Sequence, residues 1–455
     1  MTAEAEEKSR KKVAWAALMP AALFLACLLF AAHLMRAGNF AGAATCILWS
    51  LACFLRESWM RYAAIGITGF FAWQWLDAAP LMVQLRIMQQ LPFYRLLAIL
   101  STVLLVNMLA LALCFSPIGK AWFYKNKEHA FAKAGSFLGV ILLMQPALRM
   151  NPPMLLADRL FYGAGSLQVL IAALVAAFVA GQLLNRETAS RTRRRIWLLF
   201  SVVFFLQFAL MLAGLGFFAT TGSLHIPVPG VILAGAVYNQ KISFMPCLFL
   251  FSVLLAGPAW CSHLCYFGSW DYLASRQKKK PCPHPHPLRW RLLSLVVITV
   301  SALLLRMSGV PILYACLGGI LLGFLMVPVS LFLSRKKGIP VYCTMICPLG
   351  LAACLAGRLS LWRMKTTKNC IQCRACLPSC RYGALNPEQL QKGQAGLSCT
   401  LCRECELACK NGGIRIAFVG ENMAGAKSGK EPWARQLFVA VVSAMQAAFL
   451  FMAMV

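Results

Sequence analysis

Apolar stretches almost free of charged residues alternate with short polar connections along the whole chain. About eleven of these stretches are present, and most approach the roughly 20 residues that a helix needs to cross a membrane. They cover residues 13–35, 37–55, 62–76, 96–119, 134–148, 160–185, 196–218, 242–260, 292–305, 307–333 and 436–455. The first is too long for a cleaved signal peptide, so we expect it to remain as an anchor. The pattern predicts an all-α polytopic membrane protein with about eleven transmembrane helices.

The composition agrees with this class of fold. Of the 455 residues, 60% are hydrophobic and only 13% are charged, against roughly 25% charged residues in an ordinary soluble domain. The mean hydropathy is +0.69. These values exclude a soluble enzyme, a disordered tail and a secreted scaffold held by disulfides.

The basic residues predict the orientation of the chain. The net charge is +30, and clusters of Lys and Arg occur in every second connection between the apolar stretches. By the positive-inside rule, this alternation places the N-terminus in the cytoplasm and the C-terminus outside. Because the clusters lie beside apolar spans, we expect them to meet anionic membrane lipid and not nucleic acid.

Two further apolar segments do not fit a simple crossing of the membrane. Residues 338–357 are preceded and followed by basic residues, so both ends are predicted to be cytoplasmic. Residues 260–275 enter from a span and continue into the lysines at 278–280. We expect both segments to be re-entrant or interfacial and to be covered by protein.

Two cysteine motifs of identical spacing, C-x2-C-x2-C-x3-C, predict two [4Fe–4S] clusters. The first three cysteines of each motif wrap one cubane, and the fourth ligates the other. One cluster is therefore assigned to Cys370, Cys373, Cys376 and Cys409, and the second to Cys399, Cys402, Cys405 and Cys380. A pair of zinc knuckles is the alternative, but zinc sites usually include His, which both motifs lack. The sequence thus predicts a small α+β ferredoxin module of the bacterial 2[4Fe–4S] type on the cytoplasmic side.

A second kind of motif, C-x3-C, occurs twice at predicted cytoplasmic ends of apolar spans. The pairs are Cys261 with Cys265 in W-C-S-H-L-C-Y-F-G, and Cys343 with Cys347 in Y-C-T-M-I-C-P-L-G. Their spacing puts both sulfurs on one face of a helix, and the repeat indicates an internal duplication. Buried cysteines placed by chance are the alternative. Four facing thiolates would suit a further iron–sulfur centre, a transient copper site or a redox-active thiol set.

Over roughly residues 196–420 the chain resembles the NapH/NosR/CcoG-type polytopic membrane ferredoxins. The resemblance rests on the two C-x3-C pairs, the second continuing as C-P-L-G, and on the double ferredoxin motif. It implies a four-span core in a bacterial cytoplasmic (inner) membrane, with cytoplasmic clusters that exchange electrons with the quinone pool or with other redox protein subunits. Within the group, the NapH branch relays quinol electrons and the CcoG branch is tied to copper reduction.

The sequence departs from this pattern at three positions. The family pattern has Pro after the second cysteine of a C-x3-C pair, where this chain has Tyr266. It usually has Pro after the fourth ferredoxin cysteine, where this chain has Arg381 and Lys410. Together with Arg374 and Arg403, these two basic residues lie beside cluster cysteines. They would offset the charge of anionic clusters and raise the reduction potential of the clusters. The alternative is that they are ordinary solvent-exposed surface residues.

The sequence also suggests a domain organisation and candidate quinol ligands. We predict a membrane region of about six helices without an assigned function (1–195), a four-span core (196–363), the ferredoxin domain (364–420), and a linker with a final transmembrane helix (421–455). A quinol site requires a titratable group beside an apolar cleft. The candidates are His225, Lys241, Asp77 and His263, although a structural role explains each of them better than a catalytic one.

Our hypothesis from the sequence is a membrane-bound iron–sulfur protein that passes electrons between the quinone pool and the two clusters. The C-x3-C cysteines would form an additional redox site, and the protein would serve as an electron-transfer subunit of an oxidoreductase system. One alternative is a copper-reducing or metal-reducing membrane ferredoxin. Another is a non-catalytic redox sensor or assembly subunit of a larger complex. The direction of electron flow is left open.

Overall fold

A computed structural model describes residues 3–150, 153–161, 163–215, 218, 228–241, 244–421 and 433–453, with side chains from residue 17 to residue 452. The protein is mostly helical, at 75%. Contacts divide the chain into two compact units, Met1–Gly181 and Gln182–Val455. The predicted domain boundary after residue 195 would instead cut a helix that runs from Ala189 to Leu212.

The first unit is built from helices that pack through aromatic and small side chains. Phe30 stacks on Phe71 with ring centroids 4.0 Å apart, and Ala63 and Ala110 are fully buried. Asn39 caps a helix by accepting a hydrogen bond from the N–H of Gly42. The helices are α1 (Ala3–Arg36), α2 (Phe40–Ala52), α3 (Ser58–Met88), α4 (Tyr94–Phe115), α5 (Pro117–Trp122), α6 (Ala130–Arg149), α7 (Leu156–Leu160) and α8 (Gly165–Leu184), whose last turn extends past the boundary.

The second unit contains both kinds of cysteine motif. Pro287 and Pro348 begin two of its helices, where a missing N–H costs nothing, and Gly338 ends another in the left-handed conformation. The helices are α9 (Ala189–Leu212), α10 (Pro229–Asn239), α11 (Phe244–Ala256), α12 (Tyr266–Ser275), α13 (Pro287–Met307), α14 (Ile312–Lys337), α15 (Pro348–Ala356), α16 (Pro387–Gln391), α17 (Glu404–Ala408) and α18 (Trp433–Ala453).

Nine helices in the described part of the chain are long and apolar enough to cross a membrane. The chain is therefore a polytopic helical protein, as predicted. Two of the predicted spans are not among the nine. Residues 37–55 form only a short apolar helix, and residues 62–76 lie within α3, which also carries Arg61, Asp77 and Arg86. As predicted, residues 338–357 form no candidate span. The predicted non-spanning segment 260–275 is divided, because residues 260–264 end the candidate span Met245–Leu264 and only 266–275 lie outside every candidate span.

A two-stranded antiparallel sheet joins the ends of the segment that carries the double cysteine motif. Strand β1 (Trp362–Thr366) pairs with β2 (Ile414–Phe418), with Trp362 opposite Phe418 and Thr366 opposite Ile414. Met364 and Ile416 are buried on one face of the sheet. We call residues 362–421 the cysteine module, since both motifs lie between its two strands.

Candidate functional site

The two C-x3-C pairs adopt the same backbone conformation. The first cysteine of each pair lies in a single π-helical turn, Trp260–Leu264 or Tyr342–Ile346. The N–H of Cys265 donates to the carbonyl of Trp260 at 2.9 Å, and that of Cys347 donates to the carbonyl of Tyr342 at 2.8 Å. The second cysteine is extended in both pairs, with ψ of 115°. Single π turns are rare and are frequent at functional sites.

The expectation that both sulfurs of a pair lie on one α-helical face is therefore wrong. The second cysteine has left the helical conformation and occupies the N-cap of the next helix, α12 or α15. Pro348 favours this conformation because proline disfavours the α region in the residue before it. Cys265 adopts the same extended conformation although Tyr266, and not proline, follows it. The carbonyl of Cys265 accepts a 2.7 Å hydrogen bond from the indole of Trp197. The departure at Tyr266 thus leaves the turn geometry unchanged.

Both second cysteines meet backbone N–H groups at a helix start. The Sγ atom of Cys347 accepts a hydrogen bond of 3.4 Å from the N–H of Gly350, and Cys265 interacts with the backbone N–H of Gly268. The N-terminus of a helix favours negative charge and stabilises a thiolate. This arrangement suits anionic sulfur ligands.

Three buried charged side chains hold the π turns. The guanidinium of Arg193 donates to the carbonyl of Ser262 at 3.0 Å, and that of Arg291 donates to the carbonyl of Cys343 at 2.8 Å. The carboxylate of Asp271 accepts from the N–H of Cys343 at 2.9 Å and from Ser334 at 2.5 Å. Burial raises the pKa of Asp271 to about 6, although these hydrogen bonds act in the opposite direction.

The sequence analysis missed these three residues as parts of the site. Arg193, Arg291 and Asp271 are 2–3% exposed. Arg193 and Arg291 shortly precede an apolar stretch, and Asp271 is the one charged residue within 260–275. A charge in or beside an apolar segment is costly to bury and therefore points to a functional contact. That signal was present, but the basic residues were interpreted only as markers of orientation.

The structure places the four C-x3-C thiols near one another. Cys343 lies within electrostatic range of Cys265, Cys347 and Cys261. Cys265 and Cys347 belong to one buried cluster with Tyr266 and Tyr342, whereas Cys343 and Cys261 each belong to a separate buried cluster. All four thiols are buried.

The cysteine module groups its eight thiols crosswise between the two motifs. Cys376 interacts with Cys409, Cys370 and Cys373, so the last cysteine of the second motif joins the first three of the first motif. Correspondingly, Cys405 interacts with Cys402, Cys380 and Cys399. These two groups have the same membership as the two predicted ligand sets.

The backbones of the two motifs are wound in the same way. Gln372 and Arg374 have φ of 52° and 61°, and Leu401 and Arg403, at the same offsets in the second motif, have φ of 51° and 65°. Non-glycine residues adopt this left-handed conformation at an energetic cost, and such strain concentrates at functional sites. Alternating right- and left-handed residues turn successive N–H groups inward to form an anion-binding concavity, which is a common feature of iron–sulfur sites.

A glycine allows the fourth cysteine of the second motif to approach the first motif. The N–H of Gly413 donates to the Sγ atom of Cys409 at 3.1 Å. A Cβ atom at Gly413 would lie 2.9 Å from the Cα atom of Cys370, which is too close for a side chain. This contact brings Cys409 and Cys370 to one site.

Buried thiols of the module are protonated at neutral pH unless a metal displaces the proton. Burial and the neighbouring Cys402 together raise the pKa of Cys380 to about 11, although backbone hydrogen bonds act in the opposite direction. Metal binding must therefore release protons from these cysteines.

The module is docked on the membrane core through buried side chains. Arg381 donates hydrogen bonds to the carbonyls of Ser275, Gly338 and Lys278. Arg193 forms a 2.9 Å ion pair with Glu404, a residue of α17. These contacts attach the module at the ends of α12 and α14 that carry basic clusters.

The basic residues beside the cluster cysteines divide into two kinds. Arg381 and Arg403 are buried, and Arg403 contacts Glu406 and the carbonyl of Leu183. Arg374 and Lys410 are exposed. The departure from Pro at position 381 therefore has a structural role in docking, whereas Lys410 remains on the surface.

The structure does not assemble the four quinol candidates into one site. Asp77 and Lys241 are exposed, and His225 lies outside the described residues. His263 is 3% exposed, and the cavity beside it has a volume of only about 10 Å³. That is room for a water molecule at most, so a quinone ring does not fit there.

Within the residues that the structure describes, no three His, Cys, Asp or Glu side chains converge as ligands of one metal ion. A cubane binds each of its four cysteines through a different iron, so its ligands need not converge on one point. No protein-family model, no curated protein and no solved structure matches this chain.

Proposed function

We propose that this protein is a membrane-bound iron–sulfur electron-transfer protein that exchanges electrons with quinone. The cysteine module acts as a ferredoxin domain with two [4Fe–4S] clusters, held by the two ligand sets assigned from the sequence. The crosswise grouping of the eight thiols is the observation that carries the proposal. In a bacterial 2[4Fe–4S] ferredoxin, the fourth cysteine of each motif serves the other cluster.

The donor set of the module fits these clusters. It offers eight cysteines without His, identical left-handed positions in both motifs and a backbone N–H directed at Cys409. When bound, such clusters accept and donate one electron each, so two of them match the two electrons of a quinol, whose two protons would leave to solvent. The residues around them set potential and access through burial and hydrogen bonds to sulfur.

Direct contact between the module and the C-x3-C site supports a role in electron exchange. Tyr382, which follows the first motif, belongs to one buried cluster with Cys343, and Cys402 packs against that cluster. Tyr382 also stacks with Tyr272 at a centroid distance of 6.2 Å. Protein atoms therefore fill the space between the two sites continuously.

The docking contacts favour a cytoplasmic position for the module. Arg381 contacts the carbonyls of Lys278 and Gly338, which lie beside the basic clusters at 278–280 and 335–337. By the positive-inside rule these clusters face the cytoplasm. On this basis we propose a bacterial inner-membrane protein with the module inside and the C-terminus outside.

The four C-x3-C thiols form an additional redox site in this proposal. Their mutual proximity favours a third centre over four unrelated packing residues. Copper is the second candidate occupant, since soft thiolates select Cu(I). Copper titration of the wild type and of a variant with Ser at positions 261, 265, 343 and 347 separates the two. If the variant loses copper binding but oxidises quinol at an unchanged rate, the result would favour metal reduction.

The proposed function is tested by anaerobic reduction of the purified protein. We expect dithionite, and also a quinol, to bleach the visible absorbance and to produce the EPR signal of reduced [4Fe–4S] clusters. A variant with Cys376→Ala and Cys405→Ala should lose both responses, whereas Cys316→Ala, a cysteine on α14, should retain them. Full bleaching in the double variant would contradict the proposal.

A further inference from the structure

A second cavity, of about 230 Å³, lies beside the second C-x3-C turn and shares Asp271 and Tyr342 with the site described above. Its walls come from α9, α12 and α14. Aromatic rings form much of the lining, including Phe205, Phe267, Trp270, Phe324 and Tyr342. Tyr342 precedes Cys343 in the chain and stacks with Phe267 at a centroid distance of 5.5 Å. The cavity thus adjoins the proposed redox site.

Two polar residues interrupt these apolar walls. Both carboxylate oxygens of Asp271 already accept hydrogen bonds, from Ser334 and from the N–H of Cys343. Ser330 is 1% exposed, and its hydroxyl has no hydrogen-bond partner among the described residues. A buried hydroxyl without a partner is destabilising. A ligand that accepts a hydrogen bond from Ser330 would remove that penalty.

The cavity is accessible from the side of the membrane. Trp270 and Phe324 are 40% and 42% exposed, although both line it. Phe324 lies on α14, of which only 6% is buried, the smallest buried share among the nine candidate spans. A membrane span whose surface is this exposed faces lipid. The ligand would therefore enter from the bilayer.

We infer that this cavity binds the head group of a quinone or quinol, an inference that rests on the proposed electron-transfer function. A planar six-membered ring matches the aromatic walls, and a ring oxygen accepts a hydrogen bond from Ser330. The space is sufficient, because an apolar cavity of roughly 150 Å³ already binds benzene. A lipid acyl chain would fill the apolar part but leave Ser330 without a partner. Of the four quinol candidates from the sequence, the three within the described residues, Lys241, Asp77 and His263, do not line this cavity.

Substitutions on α14 test the inference with a matched control. Val327→Phe fills the cavity that Val327 lines, whereas Val329→Phe adds the same ring at a position that is 46% exposed. Ser330→Ala removes only the hydroxyl. Clusters of the holoprotein are reduced anaerobically with decylubiquinol, and with dithionite as the reference. We expect Val327→Phe to slow reduction by decylubiquinol at least about tenfold, Ser330→Ala about threefold to tenfold, and Val329→Phe less than twofold. Equal rates in all four proteins would overturn the inference.

A second measurement does not depend on clusters or on substitutions. Unmodified protein is photolabelled with an azido derivative of the same quinone, with and without excess decylubiquinone, and the labelled peptides are mapped. Competed labelling within 267–271 or 324–331 would support the site, and labelling confined to other segments would overturn it. If dithionite bleaches no variant, the proposed function fails, but the labelling still decides whether the cavity binds quinone.

Discussion

The hydroxyl of Ser262 donates a hydrogen bond of 2.7 Å to the main-chain carbonyl of Thr400. Ser262 lies between the two cysteines of the first C-x3-C pair, and Thr400 follows the first cysteine of the second module motif. Both residues are buried, at 0% and 3% exposure. The two cysteine sites are therefore in direct contact, and the position of one depends on the other.

Removal of this hydroxyl should loosen the module from the core. Ser262→Ala leaves a buried carbonyl of Thr400 without its donor, which costs about 1–3 kcal/mol. Hydrogen exchange should then become faster across the cysteine module. Ser294→Ala is a matched control, because Ser294 donates to the carbonyl of Ile346 within the core. Equal exchange of the module in both variants would contradict direct docking through Ser262.

Arg381 should contribute more to docking than the residue at the equivalent position of the second motif. Arg381→Ala removes three hydrogen bonds to carbonyls, two buried and one partly buried, for which we expect a loss on the order of 3 kcal/mol. Lys410, which also follows a fourth cysteine, is exposed, so Lys410→Ala should change stability by less than about 0.5 kcal/mol. Limited proteolysis measures both effects. Cleavage of the module that is no faster in Arg381→Ala than in Lys410→Ala would show that Arg381 does not dock it.

Pairs of cysteine substitutions should reveal the crosswise ligand sets. Cys376→Ala with Cys409→Ala affects one predicted cluster, so we expect about four of about eight irons to remain. Cys376→Ala with Cys380→Ala affects both clusters, although both cysteines belong to the same motif, and should remove nearly all iron. Iron analysis of the purified variants provides the count. Half occupancy in the second variant would mean that each motif holds its own cluster.

Gly268 should be intolerant of any side chain. A Cβ atom there would lie 2.8 Å from the Trp197 ring and 3.0 Å from the carbonyl of Cys261, so Gly268→Ala should cost about 1–3 kcal/mol through overpacking. Gly235 on α10 has no neighbour within 4 Å of the same position, and Gly235→Ala should not lower stability. Thermal unfolding distinguishes them. Similar midpoints would contradict the close packing of α12 against the first π turn.

Sequence reasoning succeeded where the signal is local. Charge-free stretches located the candidate spans, since a helix needs about 20 apolar residues wherever it crosses. The motif spacing also predicts two crosswise ligand sets, because short steps let only three cysteines of one motif reach one cubane. The assignment of Cys380 to the set of the second motif follows from the same argument and stays a prediction.

Features that depend on distant parts of the chain were not predictable. The π turns are invisible in the C-x3-C spacing, which an α-helix satisfies equally well. Docking by Arg381 requires carbonyls about 100 residues earlier in the chain, and long-range packing of this kind leaves no periodic signal. The cavity with Ser330 arises only where three helices meet. His263 was misjudged as a quinol candidate because the sequence cannot show how little space surrounds it.

The most direct test of the account is the iron and acid-labile sulfide content of anaerobically purified full-length protein, measured together with zinc. The account predicts about eight irons and about eight sulfides in the cysteine module, with no stoichiometric zinc. Additional iron that is lost on replacement of the four C-x3-C cysteines would belong to a third centre. Stoichiometric zinc without sulfide or iron would contradict the central claim.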